Sequence, residues 1–176
     1  MKTKIIFVDG PDDSGKTTLI ETLKSTLPNR YRLTELKFNK GLNGLLRINT
    51  EEHFEILKSV LPHLCKENIY IMDRCYLSNI VYDQVLRDES AEPSYDFRDW
   101  CNENLDSIEI ILDRPYIKED FEDNLININI NNFNEIIDAY RDFGSYDIIN
   151  QPELYNTVYN EVEELCKSWT SMIQDI

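Results

Sequence analysis

The sequence predicts an α/β fold, a five-stranded parallel sheet with helices on both faces in three layers. Three observations predict it. Short apolar runs alternate with amphipathic helical patterns along the 176 residues, and such alternation calls for a parallel sheet covered on both sides. Three runs, Lys4–Asp9, Ile69–Asp73 and Ile108–Asp113, are largely apolar and end in an acid, as buried parallel strands do. A loop rich in small and charged residues follows the first of these runs and opens directly onto a helical pattern.

Taken in order, the strand at Lys4–Asp9 leads through that loop into a helix at Lys16–Leu27. A second strand spans Tyr31–Phe38. The helix at Glu51–Lys66 places Phe54, Leu57, Leu61 and Leu64 on one face. After the strand at Ile69–Asp73 come helices at Tyr76–Arg87 and Tyr95–Leu105, then the strand Ile108–Asp113. From Asn124 to Asn134, Asn and Ile alternate with Leu and Phe, a composition that suits a mobile segment better than a core element. A helix at Phe133–Phe143 stops at Gly144, a residue suited to a helix C-terminus. A fifth strand is expected at Tyr146–Ile149. The last helix, Leu154–Ile173, starts after Pro152 and carries Leu154, Val158, Leu165 and Trp169, with Met172 or Ile173, at helical spacing. Crossover connections between parallel strands put all their carboxyl ends on one edge, where ligands bind.

Composition bounds the function. The length fits one domain, residues 1–176. A net charge of −15 argues against a nucleic-acid binder, which needs a basic face, while a local nest of backbone N–H groups and one lysine still binds a phosphate inside an acidic shell. No apolar run approaches a membrane span. The run behind Met1-Lys2-Thr3-Lys4 is too short for a secretory signal, so a cytoplasmic chain starting at Met1 is expected. Cys65, Cys75, Cys101 and Cys166 are widely spaced and form no CxxC pair, and the chain has two histidines. They read as packing thiols rather than zinc ligands.

Gly10-Pro11-Asp12-Asp13-Ser14-Gly15-Lys16-Thr17 fits GxxxxGK[ST] in full, the P-loop pattern. The glycines allow the backbone to curl so that Asp13, Ser14, Gly15, Lys16, Thr17 and Thr18 present N–H groups to a phosphate, with the helix dipole behind them. Lys16 reaches the β- and γ-phosphates, and the Thr17 hydroxyl binds Mg²⁺. Two of only five glycines fall on the required positions, and average composition gives this pattern by chance in roughly one chain in a hundred or fewer. The loop points to ATP and Mg²⁺ and is silent about the acceptor.

A second motif, Asp73-Arg74-Cys75-Tyr76-Leu77-Ser78-Asn79-Ile80-Val81-Tyr82, begins at the end of a buried strand, on the same sheet edge. Asp73 can hold a Mg²⁺-bound water or accept a proton, and Arg74 can clamp a phosphate with two parallel hydrogen bonds.

Both motifs resemble the thymidylate kinase family. Its first motif, acid-G-x-D-x-x-G-K-T-T, is similar to Asp9 through Thr18, and its second, D-R-x-x-x-S-x-x-A-Y, is matched at Asp73, Arg74, Ser78 and Tyr82, with Val81 for the alanine. Ile111-Leu112-Asp113-Arg114-Pro115 looks like the family's L-D-x-P, and Phe133 to Tyr140 like the helix after its lid, which would span roughly residues 114–130 here. The Asn- and Ile-rich, compact chain resembles viral members, for which the compartment would be the host cytoplasm. The resemblance implies an ATP-dependent deoxynucleoside monophosphate kinase, with dTMP or a similar pyrimidine nucleotide as acceptor. Asp12 would then contact the sugar 3′-hydroxyl, Arg74 the acceptor phosphate, and Ser78 and Tyr82 the acceptor pocket. Thr17 and Asp73 would serve the metal. Lys37 or Arg47 can also reach the acceptor, and family members commonly pair as homodimers through helices like Glu51–Lys66.

The chain departs from the family in two respects: the aromatic-plus-arginine pair that holds thymine in the family has no clear match before Pro62, which leaves the acceptor base open, and the cation at the transferring group is missing from its usual places. The loop position that carries an arginine in many members is Asp13, and Pro115–Tyr140 contains no arginine and one lysine, Lys118. Either Arg114 or Lys118 substitutes as the cation at the transferring group, or catalysis is slow, or the cation comes from elsewhere in the chain. Two alternatives are a nucleotide-binding protein with little kinase activity, and a deoxynucleoside kinase using Glu35 as general base. His53, His63, Trp100 and Trp169 read as structural, Trp169 serving equally as a subunit contact.

Overall fold

The computed structural model describes residues 1–36, 50–87, 90–122, 127–146 and 151–174. Four parallel strands, β1 (Thr3–Asp9), β2 (Leu33–Leu36), β3 (Ile69–Asp73) and β4 (Leu105–Ile111), lie in the order β2-β3-β1-β4. β1 is buried along its whole length because it is flanked by β3 and β4 and covered on both faces. Alternate side chains divide the core. Ile5 and Phe7 pack with α2 (Thr50–Val60), α3 (Tyr76–Tyr82), α4 (Glu92–Asn104) and α5 (Ile130–Asp142). Ile6 and Val8 pack with α1 (Lys16–Thr26) and α6 (Pro152–Gln174). The expected three layers are therefore present.

The expected fifth strand is reduced among the described residues to one parallel bridge, Tyr146 with Leu112. The Tyr146 N–H donates to the Ile111 carbonyl at 2.7 Å, and its carbonyl accepts from the Asp113 N–H at 2.9 Å. Residues 147–150 lie outside the described set, as do Lys37, Arg47 and the end of the second predicted strand.

Other boundaries moved for physical reasons. β4 begins at Leu105, three residues before the expected start, because Leu105 pairs with Thr3 and Ser107 with Ile5. The polar Asp106 and Ser107 hide that extension in the sequence. The helix expected through Lys66 ends at Val60 and tightens into a 3₁₀ turn at Leu61–His63, where Pro62 lacks an N–H for the α ladder. Phe54, Leu57 and Leu61 are buried as expected. Tyr76–Arg87 divides into α3 and a π-helical turn, Asp83–Arg87, closed by a 2.5 Å ion pair between Arg87 and the buried Asp83.

The Asn/Ile-rich stretch differs from its expected role. Residues 123–126 lie outside the described set. The residues after them are ordered and packed: β6 (Asn127–Ile128) pairs antiparallel with β5 (Phe121–Glu122). Asn129 then caps α5 by accepting the Asn132 N–H at 3.0 Å. Ile128 and Phe133 are buried, so this asparagine run starts a core helix. In α6 the buried stripe is Val158, Val162, Cys166 and Trp169. Trp169 belongs to the core. Cys75, Cys101 and Cys166 are buried thiols, whereas Cys65 is exposed. Among the described residues no helix is long and apolar enough to cross a membrane.

Candidate active site

The phosphate loop connects β1 to α1 and is shaped by three residues of positive φ: Gly10 (143°), Asp13 (58°) and Gly15 (87°). Aspartate is among the few side chains that tolerate the left-handed region. Gly10 has a second constraint. A Cβ there would stand 2.5 Å from the Leu112 carbonyl oxygen and 2.8 Å from Ser14 Oγ. Gly10→Ala is therefore expected to destabilise the fold by more than about 2 kcal/mol, read as a lower Tm. An unchanged Tm would contradict this account of the loop.

Lys16 folds back into the loop. Its Nζ donates to the carbonyls of Gly10 (3.0 Å) and Pro11 (2.6 Å) and to Ser14 Oγ (3.4 Å). Burial lowers its pKa to about 8, helped by the nearby Arg74 cation and opposed by Asp12, Asp73 and Asp9. Between pH 8 and the ordinary value of 10.5 the unfolded chain keeps the proton that the folded one has lost, so stability rises with pH across that window. Binding a polyphosphate reverses the shift, because the anion favours the ammonium. ATP binding at pH 8.5 is expected to take up a proton, and its affinity to fall as pH climbs above 8. Titration calorimetry in buffers of different ionisation heat measures both effects; binding with no proton uptake would contradict this.

Arg74 occupies the end of β3, next to β1, and also has positive φ (65°). That turn is fixed by its N–H donating to the Val8 carbonyl at 2.9 Å. Its guanidinium donates to the Gly10 carbonyl (2.9 Å), Ser78 Oγ (3.1 Å), the Tyr140 hydroxyl (3.4 Å) and Asp12 Oδ1 (2.5 Å). It also lies over the Tyr82 ring, 5.6 Å from the centroid. The Tyr82 hydroxyl donates to the other Asp12 oxygen at 2.8 Å. Burial pushes the Asp12 carboxyl up, but Arg74, Tyr82 and Lys16 outweigh it and hold its pKa below the usual value. Burial likewise works against the Arg74 cation, and Tyr140, Tyr82, Asp12 and Asp9 more than offset it. The structure thus brings Asp12, Arg74, Ser78 and Tyr82 into one cluster against the phosphate loop.

Behind the cluster lies Asp9, which the motif contains but to which the sequence assigns no role. It is 2% exposed. It accepts from the N–H groups of Cys75 (3.0 Å) and Gly10 (3.3 Å), the Tyr140 hydroxyl (3.1 Å) and Ser78 Oγ. Burial raises its pKa, against the pull of Arg74, Ser78, the Cys75 N–H and Lys16. Asp9 joins loop, α3 and α5 through one carboxylate. An acid immediately before the loop glycine is the signal that marks it. Tyr140 carries no comparable signal, since its partners Asp9 and Ser78 are distant in sequence.

Thr17 and Thr18 are exposed in the first turn of α1, and Asp73 is exposed at the tip of β3. Thr17 Oγ1 and the Asp73 carboxylate make no hydrogen bond among the described residues. Those residues contain no cluster of three or more metal-ligating side chains. One hydroxyl and one carboxylate fit Mg²⁺, which keeps waters and takes phosphate oxygens rather than an all-protein cage. Glu35, opposite Ile71 of β3, has its carboxylate 2.6 Å from Lys24 of α1. His53 is stacked beside Phe54 and His63 is exposed in the turn after α2.

Comparisons with known proteins bear on the fold. No family model and no curated protein matches the sequence. Among solved structures, a thymidylate kinase from Ehrlichia chaffeensis matches with a TM-score of 0.53 at 17% identity, covering 94% of this chain and 99% of that one. A thymidylate kinase from Candida albicans matches with a TM-score of 0.53 at 12% identity, covering 95% and 92%. The chain has the fold of these two thymidylate kinases, on a sequence that shares few residues with either of them.

Proposed function

We propose that this chain is an ATP-dependent deoxynucleoside monophosphate kinase that transfers the γ-phosphoryl group to a dNMP, dTMP or a similar pyrimidine nucleotide. The observation that carries the reading is the hydrogen-bonded join between the two motifs. Arg74 reaches both the Gly10 carbonyl and the Asp12 carboxylate of the phosphate loop, so an acceptor phosphate on Arg74 would lie beside a donor phosphate on Lys16. Asp12 and Tyr82 then face the acceptor sugar, with Ser78 holding Arg74 in place.

In the transfer, an oxygen of the acceptor phosphate attacks Pγ, and the bond from Pγ to its bridging oxygen breaks. The electron pair leaves with ADP, and the charges of ATP plus dNMP equal those of ADP plus dNDP. No proton need be removed, so the site requires positioning and cations rather than a base. Mg²⁺, held by Thr17 and Asp73, would neutralise charge on the triphosphate when bound.

A deoxynucleoside kinase would need a base at its 5′-hydroxyl acceptor, and the Glu35 carboxylate is ion-paired with Lys24 at 2.6 Å. The test is product formation from each dNMP and from thymidine. A diphosphate product supports the reading; a monophosphate from thymidine, abolished by Glu35→Gln, overturns it in favour of the nucleoside kinase. The same reading takes residues 1–176 as one domain acting as a homodimer through α2, whose Ile56 and Val60 are each 47% exposed; sedimentation gives the mass.

A further inference from the structure

We propose that Arg114 is the cation that meets the transferring phosphoryl group, and that Asp13 holds its guanidinium beside the loop until phosphate displaces the carboxylate. This deepens the kinase reading and rests on it. The sequence leaves the role open, with an acid at position 13 and no arginine from Pro115 to Tyr140.

Arg114 lies just beyond β4, the neighbour of β1 on the side opposite β3. Arg74 and Arg114 therefore flank the loop from its two sides. Arg114 Nη1 donates to the Asp12 carbonyl at 2.9 Å and stands 3.7 Å from Asp13 Oδ2. Its Nε is buried with no hydrogen-bond partner among the described residues, so the guanidinium retains an unused donor next to a phosphate-binding loop.

The arm is fixed by its surroundings. The Arg114 N–H donates to Asp113 Oδ1 at 2.7 Å, and its carbonyl accepts from Arg141 Nη2 at 3.0 Å. Arg141 Nε donates to Asp113 Oδ2 at 2.8 Å. Pro115 restricts the Arg114 backbone to extended conformations. The guanidinium lies over Phe133, 5.3 Å from the ring centroid. Its side chain is 18% exposed. A cation set this way loses little entropy when phosphate arrives.

Asp13 makes a weaker hold. Its side chain is 76% exposed and the contact is one long pairing. Solvated pairs of this kind are weak, and a phosphate dianion takes two hydrogen bonds from a guanidinium where this carboxylate takes none. As the bond from Pγ to its bridging oxygen lengthens, Arg114 donates to the oxygens of the group in flight, while Asp13 turns to water. Lys118 is exposed and makes no hydrogen bond or ion pair among the described residues. It has nothing to aim it.

The experiment compares Arg114→Met, Arg114→Lys and Asp13→Asn with the parent chain. It measures affinity for a β,γ-imido ATP analogue and for ADP, then kcat and KM with the best acceptor, and Tm. Asparagine tolerates the positive φ of position 13. Arg114→Met is expected to lower kcat by about a hundred- to a thousand-fold. Its ADP affinity should stay within about threefold while the analogue-to-ADP affinity ratio falls by about tenfold. Millimolar guanidinium should restore part of the rate, and Arg114→Lys should fall between. Asp13→Asn should raise the analogue-to-ADP ratio. An unchanged ratio in Arg114→Met and Arg114→Lys, both still folded, overturns the proposal. If the parent chain transfers phosphate to no acceptor, the kinase reading fails, and the affinity ratio still decides the role of Arg114.

Discussion

Lys16→Met is expected to lower kcat/KM for phosphoryl transfer by about ten-thousand-fold, within the range of a cation lost from a transferring phosphate. Its stability should change by no more than about 1 kcal/mol. The two effects separate because of how Lys16 is held. Folding buries an ammonium at a cost, seen in its pKa lowered to about 8, and methionine removes that cost. Against this, the Gly10 and Pro11 carbonyls lose their donor. These terms oppose each other, as they commonly do when a buried charge is replaced by an apolar side chain of similar length. The rise in stability between pH 8 and 10.5 should also disappear, since methionine does not titrate. Thermal melts across that pH range check stability, and rate assays check transfer. Activity within tenfold of the parent would contradict the role given to Lys16.

Arg74→Met is expected to affect both properties. Transfer should fall by about a thousand-fold, and stability by about 3 kcal/mol, because removing one partner of a paired cluster strands the other. The stranded partner is Asp12, ion-paired with Arg74 at 2.5 Å, and the buried Asp9 loses a nearby cation as well: burial already raises its pKa, and Arg74 is the strongest influence lowering it. The sign of the pH effect can be worked out. Above the unfolded carboxylate value the unfolded chain has released its proton while folded Asp9 still holds one, so stability falls as pH rises towards the folded pKa. Without Arg74 that folded pKa moves further up, and the loss extends to higher pH. Denaturation curves at several pH values, with Arg74→Lys beside Arg74→Met, measure this. Lysine keeps the charge near Asp9 but not the fork that reaches Gly10, Ser78 and Asp12, so it should recover stability better than rate. Equal pH dependence in parent and Arg74→Met would contradict the network.

The sequence made the architecture legible wherever pattern was local. β3 was readable from Ile69 to Asp73, and the loop from Gly10 to Thr17, because each is set by neighbouring residues. Where a partner distant in sequence decides, pattern fails. β4 reaches back to Leu105 because Thr3 pairs with it, and the asparagines after Ile128 are drawn into α5 by the burial of Ile128 and Phe133. The site divides in the same way. Asp12, Arg74, Ser78 and Tyr82 stand at motif spacing and converge as expected. Asp9 and Tyr140 needed the fold to reveal them, since the hydrogen bond between them crosses most of the chain. Arg114 falls between these cases: it is visible as the nearest arginine, and its aim at the loop is set by Asp113, Arg141 and Phe133.

The most direct test of the central claim follows the label from γ-labelled ATP with Mg²⁺ and dTMP, dUMP, dCMP, dAMP or dGMP in turn, and with thymidine. The account predicts that label moves to the β-phosphate of one or two deoxynucleoside diphosphates, a pyrimidine among them, with one ADP formed for each. Label that stays on ATP in a protein that still binds it, or appears only in thymidine monophosphate, would contradict the account.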